Sequence, residues 1–354
     1  MSLGRREINI YKNLIELDHL YVGEGMVIST NGLNGTKFYM ESSLELRLHF
    51  SSAISSVYKG NGIYLFQGQN YRMYAYELSN NITSINIEFE RFLTNGLRTN
   101  QGLVLIEYKS IDSQPLEWLI SCYSTDFEKK WSIKNPYRSR LLYGETLDGL
   151  YYILDSRSNL KAIFLEDGTE SWSISNKDWP MEQKPETSKK LIVYNDTLIV
   201  FNDYAIFGLE AKSGSIKWKH DTKYAWGAVT SEGVLHYVTY KKPLRLISID
   251  VETGAVLESK DVFFTYSDKA PQPDRGPTSF QLNKDTLWVG WPERLGAIDL
   301  KTGEMFFNFM TDYNLDANIV VSNNRVYFTT TNLDVKNFQH SYFVIEGEGG
   351  YIPD

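Results

Sequence analysis

The sequence predicts an all-β fold, a single β-propeller built from four-stranded antiparallel blades. Three observations carry that prediction. A strand–turn–strand unit returns at a regular interval along the chain. Aromatic residues reach 14% beside only 10 Pro, a composition that suits pleated, half-buried surfaces. No stretch of about 12 residues or more keeps a helical period. The 354 residues are 42% hydrophobic and 23% charged, which is enough to build a packed core and excludes a disordered chain.

The repeat is clearest in the second half. KAIFLEDGTESWS (Lys161–Ser173), FGLEAKSGSIKWK (Phe207–Lys219), LISIDVETGAVL (Leu246–Leu257) and LGAIDLKTGEMFF (Leu295–Phe307) each read as a strand, a tight turn and a second strand. The turns end in Gly168, Gly214, Gly254 and Gly303, where a positive φ costs glycine little. The preceding turn residues are Asp167, Ser213, Thr253 and Thr302. Five positions before each sits Ala162, Gly208, Ser248 or Ala297; five positions after sits Trp172, Trp218, Glu258 or Phe307. The same ruler finds Ser121, Asp126 and Trp131, and before them Ala75, Asn80 and Ile85. The small residues lie 46, 41, 46, 40 and 49 positions apart, a period of about 44 that matches one propeller blade. The large residue is expected to fill the gap between blades, and the small one to let neighbouring backbones approach.

Two further strands precede each unit, as in Lys190–Tyr204 and Asn318–Thr331. A lone four-stranded sheet cannot bury both faces, whereas radial stacking buries each sheet between its neighbours. The count is eight blades, with seven as the alternative, near residues 18–50, 52–90, 92–134, 139–175, 188–221, 225–262, 277–310 and 316–354 of one domain spanning 1–354. The last unit lacks room for a fourth strand. The alternating N-terminal stretch, residues 1–12, is expected to supply it and close the ring.

The recurring pattern Ala297-Ile-Asp299 with Thr302-Gly303, Gly208-Leu-Glu210 with Ser213-Gly214 and Trp218, and Ser248-Ile-Asp250 with Thr253-Gly254 resembles the PQQ-like, or quinoprotein alcohol dehydrogenase-like, propeller repeat. The resemblance covers most of the chain and is strongest over residues 140–310. It implies a propeller in which the tryptophans are packing residues. The quinone-dependent members are larger, exported enzymes with an adjacent-cysteine disulfide, a calcium site and a catalytic Asp. This chain has a single Cys and no matching calcium constellation, which places it with the family's non-enzymatic scaffolds, among them outer-membrane assembly lipoproteins.

The chemistry visible along the chain agrees with that side. The 5 His show no paired spacing, so no metal site is expected. Cys122 is read as a small buried hydrophobe rather than a nucleophile. Phosphate-binding glycine loops and nucleophile elbows are absent. Thus no catalytic residue, metal or cofactor is assigned, and the chain reads as more a binder than an enzyme. A net charge of −8 without a basic run argues against nucleic-acid binding. No apolar stretch approaches the ~18 residues that span a bilayer. The first 20 residues show no leader pattern and one Cys forms no internal disulfide, so a cytoplasmic monomer is expected; the alternative is an exported protein whose leader has been removed.

Loop length points to the binding face. In a propeller, the links between blades and the loops between second and third strands open on one face. The long ones here are Asn176–Ser188, Phe264–Pro277, Ile111–Glu117 and Asn332–Gln339. Loops on a rigid frame carry function, and Trp, Tyr and Arg dominate interface hot spots. The candidate binding residues are therefore Tyr137, Arg138, Trp179, Trp226, Tyr266, Asp274, Arg275 and Trp291, with Trp179 expected to be exposed. Two functions follow: a scaffold holding a protein or peptide partner on this face, or an enzyme or small-ligand or carbohydrate binder acting at the mouth of the central channel.

Overall fold

The structure, a computed structural model, describes the backbone of residues 8–13, 19–23, 26–31, 35–40, 46–50, 54–60, 63–68, 72–77, 82–88, 92–99, 102–111, 114–124, 128–134, 141–155, 158–180, 188–202, 204–222, 228–239, 243–264, 277, 279–292, 294–310, 314–322, 325–331 and 340–347. Side chains are described for residues 102–104, 119–124, 128–134, 145–155, 158–180, 190–202, 204–222, 228–239, 243–263, 277, 279–292, 294–307, 319–321 and 326–328. Every regular element among them is a β-strand.

Strand β1 (Ile8–Asn13) comes first. Sheet one holds β2 (His19–Gly23), β3 (Met26–Asn31), β4 (Gly35–Met40) and β5 (Leu46–Phe50). Sheet two holds β6 (Ile54–Gly60), β7 (Ile63–Gly68), β8 (Arg72–Glu77) and β9 (Ile82–Glu88). Sheet three holds β10 (Phe92–Thr99), β11 (Gly102–Ile111), β12 (Gln114–Tyr123) and β13 (Lys129–Lys134). Sheet four holds β14 (Leu141–Leu147), β15 (Leu150–Asp155), β16 (Leu160–Phe164) and β17 (Glu170–Ile174). Sheet five holds β18 (Ser188–Tyr194), β19 (Thr197–Asn202), β20 (Ala205–Glu210) and β21 (Ile216–Asp221). Sheet six holds β22 (Val229–Ser231), β23 (Val234–Val238), β24 (Arg245–Asp250) and β25 (Val256–Asp261). Sheet seven has five strands, β26 (Phe263–Phe264), β27 (Ser279–Asn283), β28 (Thr286–Trp291), β29 (Arg294–Asp299) and β30 (Glu304–Met310). Sheet eight joins β31 (Asn314–Ser322), β32 (Arg325–Thr331) and β33 (His340–Gly347) to β1, which pairs antiparallel with β33 from Ile8 opposite Gly347 to Asn13 opposite Tyr342.

This is the all-β propeller arrangement the repeat predicts. Consecutive strands pair antiparallel in each sheet, and the first strands lie against one another from sheet to sheet, β6 by β10, β14 by β18, β27 by β31 and β31 by β2. Second strands are the most apolar: β15, β19 and β28 are buried along their whole length. A strand covered on both faces needs a continuous apolar run, and LYYIL and LIVF supply it. Outer strands β13, β21 and β25 are mostly exposed. The core therefore sits between sheets: Leu154, Leu160 and Leu191 between four and five, Phe201, Tyr237 and Ile249 between five and six, Leu246, Leu287 and Trp291 between six and seven. Each such side chain contributes about 1.5–3 kcal/mol by leaving water.

The repeat's small and large residues act together, in a way that corrects the expectation for the small one. Ala162, Gly208 and Ala297 lie directly opposite Trp172, Trp218 and Phe307 in the same sheet. A Cβ on Gly208 would stand 2.1 Å from the Trp218 ring. The small residue makes room for its own sheet's indole rather than for a neighbouring backbone. The indole then crosses the joint. Trp131, Trp172 and Trp218 donate Nε1–H to the carbonyls of Leu165 (2.9 Å), Ala211 (3.0 Å) and Val251 (2.7 Å) in the next sheet, and their rings lie on Gly168, Gly214 and Gly254. These glycines have φ of +77°, +72° and +72°, so a side chain there would be strained as well as obstructed.

Three details depart from the ruler. Trp131 stands opposite Cys122, not Ser121, because that hairpin turn is shorter than the glycine turns. Ala75 stands opposite Thr83, not Ile85, in a unit that has no glycine turn. Residues 111–117 are not a long loop, since β11 and β12 extend to Ile111 and from Gln114.

Candidate functional site

The face carrying the links between sheets is held by short polar contacts. In sheet four, Asp155 is buried and accepts from the backbone N–H and the Nδ2–H of Asn159, both at 2.8 Å, which shapes the turn between β15 and β16. Asn159 Oδ1 then accepts from the Asn176 backbone N–H (3.0 Å), and Ser158 O accepts from Trp179 Nε1 (2.7 Å). The turn inside sheet four is thus fastened to the link that leaves it. Equivalent ties join Thr222 N–H to Tyr204 O and Val262 N–H to Leu244 O. The link and second-to-third-strand segments share a face wherever these pairs are described.

Trp179 corrects the expectation of an exposed loop residue. It is 0% exposed and packs on Phe207 of sheet five with ring centroids 4.7 Å apart. Asp178 and Pro180 beside it suggest a turn, and a turn is present, but the ring folds back under it into the joint. Trp291 is buried too, at the end of β28 among Val238, Leu244 and Leu246 of sheet six. Neither indole is available to a partner at the surface. Tyr137, Arg138, Trp226, Tyr266, Asp274 and Arg275 lie outside the described residues, as do 181–187, 265–276 and 332–339 of the long loops.

The first strands hold a second arrangement that spacing alone does not signal. Glu145 on β14 and Lys190 on β18 influence each other, and Lys190 Nζ donates to Ala228 O at 2.6 Å, just before β22. Burial pushes the Glu145 carboxyl up while the Lys190 charge opposes that rise. Burial pushes the Lys190 ammonium down while Glu145 opposes the fall. Two half-buried ionisable groups therefore sit on neighbouring inner strands, and Lys190 bonds across to the segment that leads into sheet six.

The other polar groups of the repeat are engaged in building turns. Asp167 accepts from Thr169 N–H (2.9 Å) and Oγ1–H (2.7 Å); these bonds hold its carboxyl below the usual carboxylate range. Asp250 accepts from Thr253 Oγ1–H and N–H, both at 2.7 Å, with the same effect. Asp299 accepts from Lys301 and Thr302 N–H. His220 Nε2 lies 2.9 Å from Tyr237 OH across the joint of sheets five and six, and His236 Nδ1 lies 3.0 Å from Ser248 Oγ. Burial pushes both imidazoles down. Cys122 is 2% exposed and burial pushes its thiol up, the opposite of an activated nucleophile. Among the described residues no group of three or more His, Cys, Asp or Glu is placed to hold a metal ion, and no helix is long and apolar enough to cross a membrane.

No protein-family model matches the sequence, and no curated protein matches it. The fold, in contrast, is shared with solved structures. BamB from Moraxella catarrhalis is 12% identical with a TM-score of 0.62, covering 96% of this chain and 98% of that one. The computationally designed Ika8 protein is 10% identical with a TM-score of 0.63, covering 94% and 96%. The quinohemoprotein alcohol dehydrogenase ADHIIG from Pseudomonas putida HK5 is 9% identical with a TM-score of 0.58, covering 95% of this chain and 76% of that one. At such identities the likeness is one of fold.

Proposed function

We propose that this chain is a propeller of the PQQ-like repeat type that works as a non-enzymatic scaffold, binding a protein or peptide on the face where the sheet links emerge. The observation that supports this most is the clamp at sheet four. Ser158, Asn159, Asn176 and Trp179 fasten two classes of loop to one rigid edge, the condition under which loops make a reproducible binding surface. The repeat's carboxylates add support, because Asp167, Asp250 and Asp299 already serve their own turns. A shared fold alone does not separate the readings, since it occurs in an alcohol dehydrogenase as well as in BamB.

The contact residues in this reading are Tyr137, Arg138, Trp226, Tyr266, Asp274 and Arg275. Tyr266→Ala with Arg275→Ala is expected to abolish capture of a partner from the native host while leaving the unfolding midpoint unchanged. Full capture by that variant would remove the site. Trp179→Ala is unsuitable for this purpose, because its ring is part of the frame.

The second reading, a small-ligand or carbohydrate binder or an enzyme at the channel mouth, is favoured by Glu145 and Lys190 on adjacent inner strands. Lys190→Met separates the two. It should leave protein capture intact and abolish any small-ligand thermal shift.

A further inference from the structure

The inner edge of β18 lies between two opposite charges that act on each other without meeting. Glu145 stands opposite Tyr152 in the register of β14 and β15, and Tyr152 packs in the joint of sheets four and five, so Glu145 faces sheet five. Lys190 stands opposite Phe201, which packs in the joint of sheets five and six, so Lys190 faces the other way, toward sheet six. There its Nζ donates to Ala228 O at 2.6 Å. No hydrogen bond or ion pair joins Glu145 to Lys190, and the Glu145 carboxyl meets no hydrogen-bond donor among the described residues; only the charge of Lys190 acts on it.

This arrangement is unfavourable as it stands. Burial disfavours both charges, and a group withdrawn from water recovers that cost only through contact with a partner. Lys190 spends one N–H on Ala228 O and keeps its other donors. The backbone adds to what the place offers. Strands β14, β18 and β22 each pair with a single strand of their own sheet, so their inner edges present N–H and C=O groups toward the channel. A lone anion would suit Lys190 and be repelled by Glu145, and a lone cation would meet the reverse. A neutral hydroxyl compound would compensate both charges only in part. One small molecule carrying both signs satisfies both.

We propose that a small zwitterion of the amino-acid type binds across the inner edge of β18, its ammonium on the Glu145 carboxylate, its carboxylate on the remaining N–H donors of Lys190, and its other hydrogen bonds completed by the strand edge. The inference rests on the channel-mouth reading and gives that site its ligand class. It is independent of the partner surface on the link face.

The test uses the full chain, with glycine, β-alanine and γ-aminobutyrate as probes of increasing charge separation, acetate and methylammonium as probes of one charge, and glucose as the neutral probe. Binding is read by thermal shift and titration calorimetry. A saturable rise in melting temperature is expected with at least one zwitterion and not with acetate, methylammonium or glucose. Lys190→Met should abolish it. Glu145→Gln should weaken zwitterion binding about tenfold and admit acetate, because the repelling charge is gone while Lys190 remains. A merely structural Glu145 would not give that exchange of preference. Lys219→Met, on outer strand β21, should change nothing. Circular dichroism confirms that each variant is folded. The proposal is overturned by equal responses to acetate or methylammonium, or by loss of binding in Lys219→Met. Saturable binding of glucose alone, abolished by Lys190→Met, overturns the zwitterion and keeps the channel-mouth reading. Silence from every probe overturns the zwitterion and withdraws the support that Glu145 and Lys190 lend that reading.

Discussion

The partnership of Gly208 and Trp218 gives the sharpest quantitative test of how the sheets are joined. Trp218 is 8% exposed, donates to Val251 O at 2.7 Å and lies over both Gly208 and Gly254. Truncating it in Trp218→Ala removes a large buried side chain and costs roughly 3–5 kcal/mol. Gly208→Ala alone places a methyl 2.1 Å from the ring, an overpacking that costs roughly 1–3 kcal/mol. Once the indole is gone the same methyl enters the space it left. Gly208 is not among the glycines with positive φ, so alanine should there stabilise by roughly 0.4–1 kcal/mol. The two changes are therefore coupled by roughly 1.5–4 kcal/mol. Urea unfolding of the four proteins of the cycle, followed by circular dichroism, measures this directly. Additivity within about 0.5 kcal/mol would refute the reasoning, because residues without a shared contact add to that degree.

Three further outcomes follow from the same structure. His220 and His236 have imidazoles pushed down by burial, so the folded chain keeps them neutral while the unfolded chain takes up protons near the ordinary value of about 6.5. Their contribution is complete above that value and is lost as pH falls below it; urea midpoints at about pH 7.5 and about pH 5.5 should differ, and His220→Gln with His236→Gln should narrow the difference. Removing residues 1–13 takes away β1 and leaves β33 an open edge, so the melting temperature and protease resistance should both fall; an unchanged melting curve would contradict the pairing of Ile8–Asn13 with β33. Trp179→Ala should lower stability by roughly 3–5 kcal/mol, whereas Trp179→Phe, which keeps an aromatic ring in the joint but gives up the bond to Ser158 O and part of the buried ring, should cost less, roughly 1–3 kcal/mol, in the same unfolding assay.

Local pattern carried the architecture because the repeat is itself local. The glycine turn, the apolar second strand and the residue that crosses the joint all lie within one unit of sequence, and their recurrence reveals them without an alignment. What escaped that reading depends on distant contacts. Trp179 looks like a turn residue from Asp178 and Pro180, and only Phe207, far along the chain, decides that the ring is covered. The small residue's partner could be guessed as a neighbouring backbone until the register placed Gly208 against Trp218. Strand β26 is two residues long, too short to leave a period, and its parallel pairing is fixed by β30. Lys190 and Glu145 are ordinary letters in their own strands; burial and mutual charge make them unusual, and both arise only when β14 and β18 stand side by side.

The joints also show where regularity ends. In three consecutive joints one residue serves two sheets: Leu165, Ala211 and Val251 each donate N–H to the first turn of their own sheet, at Gly149, Asp196 and Gly233, and accept the indole of the sheet before. Leu300 keeps the first half of this arrangement by donating to Asp285 O, but its carbonyl takes Lys260. At that same joint an additional strand appears, β26 beside β30. The glycine is kept there, since Gly303 has φ of +77° and lies against Lys260 and Asp261; only the indole is exchanged, for a lysine that meets two carbonyls. Truncating the crossing residue should therefore cost less at the joint of sheets six and seven, where Lys260→Ala gives up two hydrogen bonds, than on either side of sheet five, where Trp172→Ala and Trp218→Ala also empty the joint, with urea midpoints as the measure.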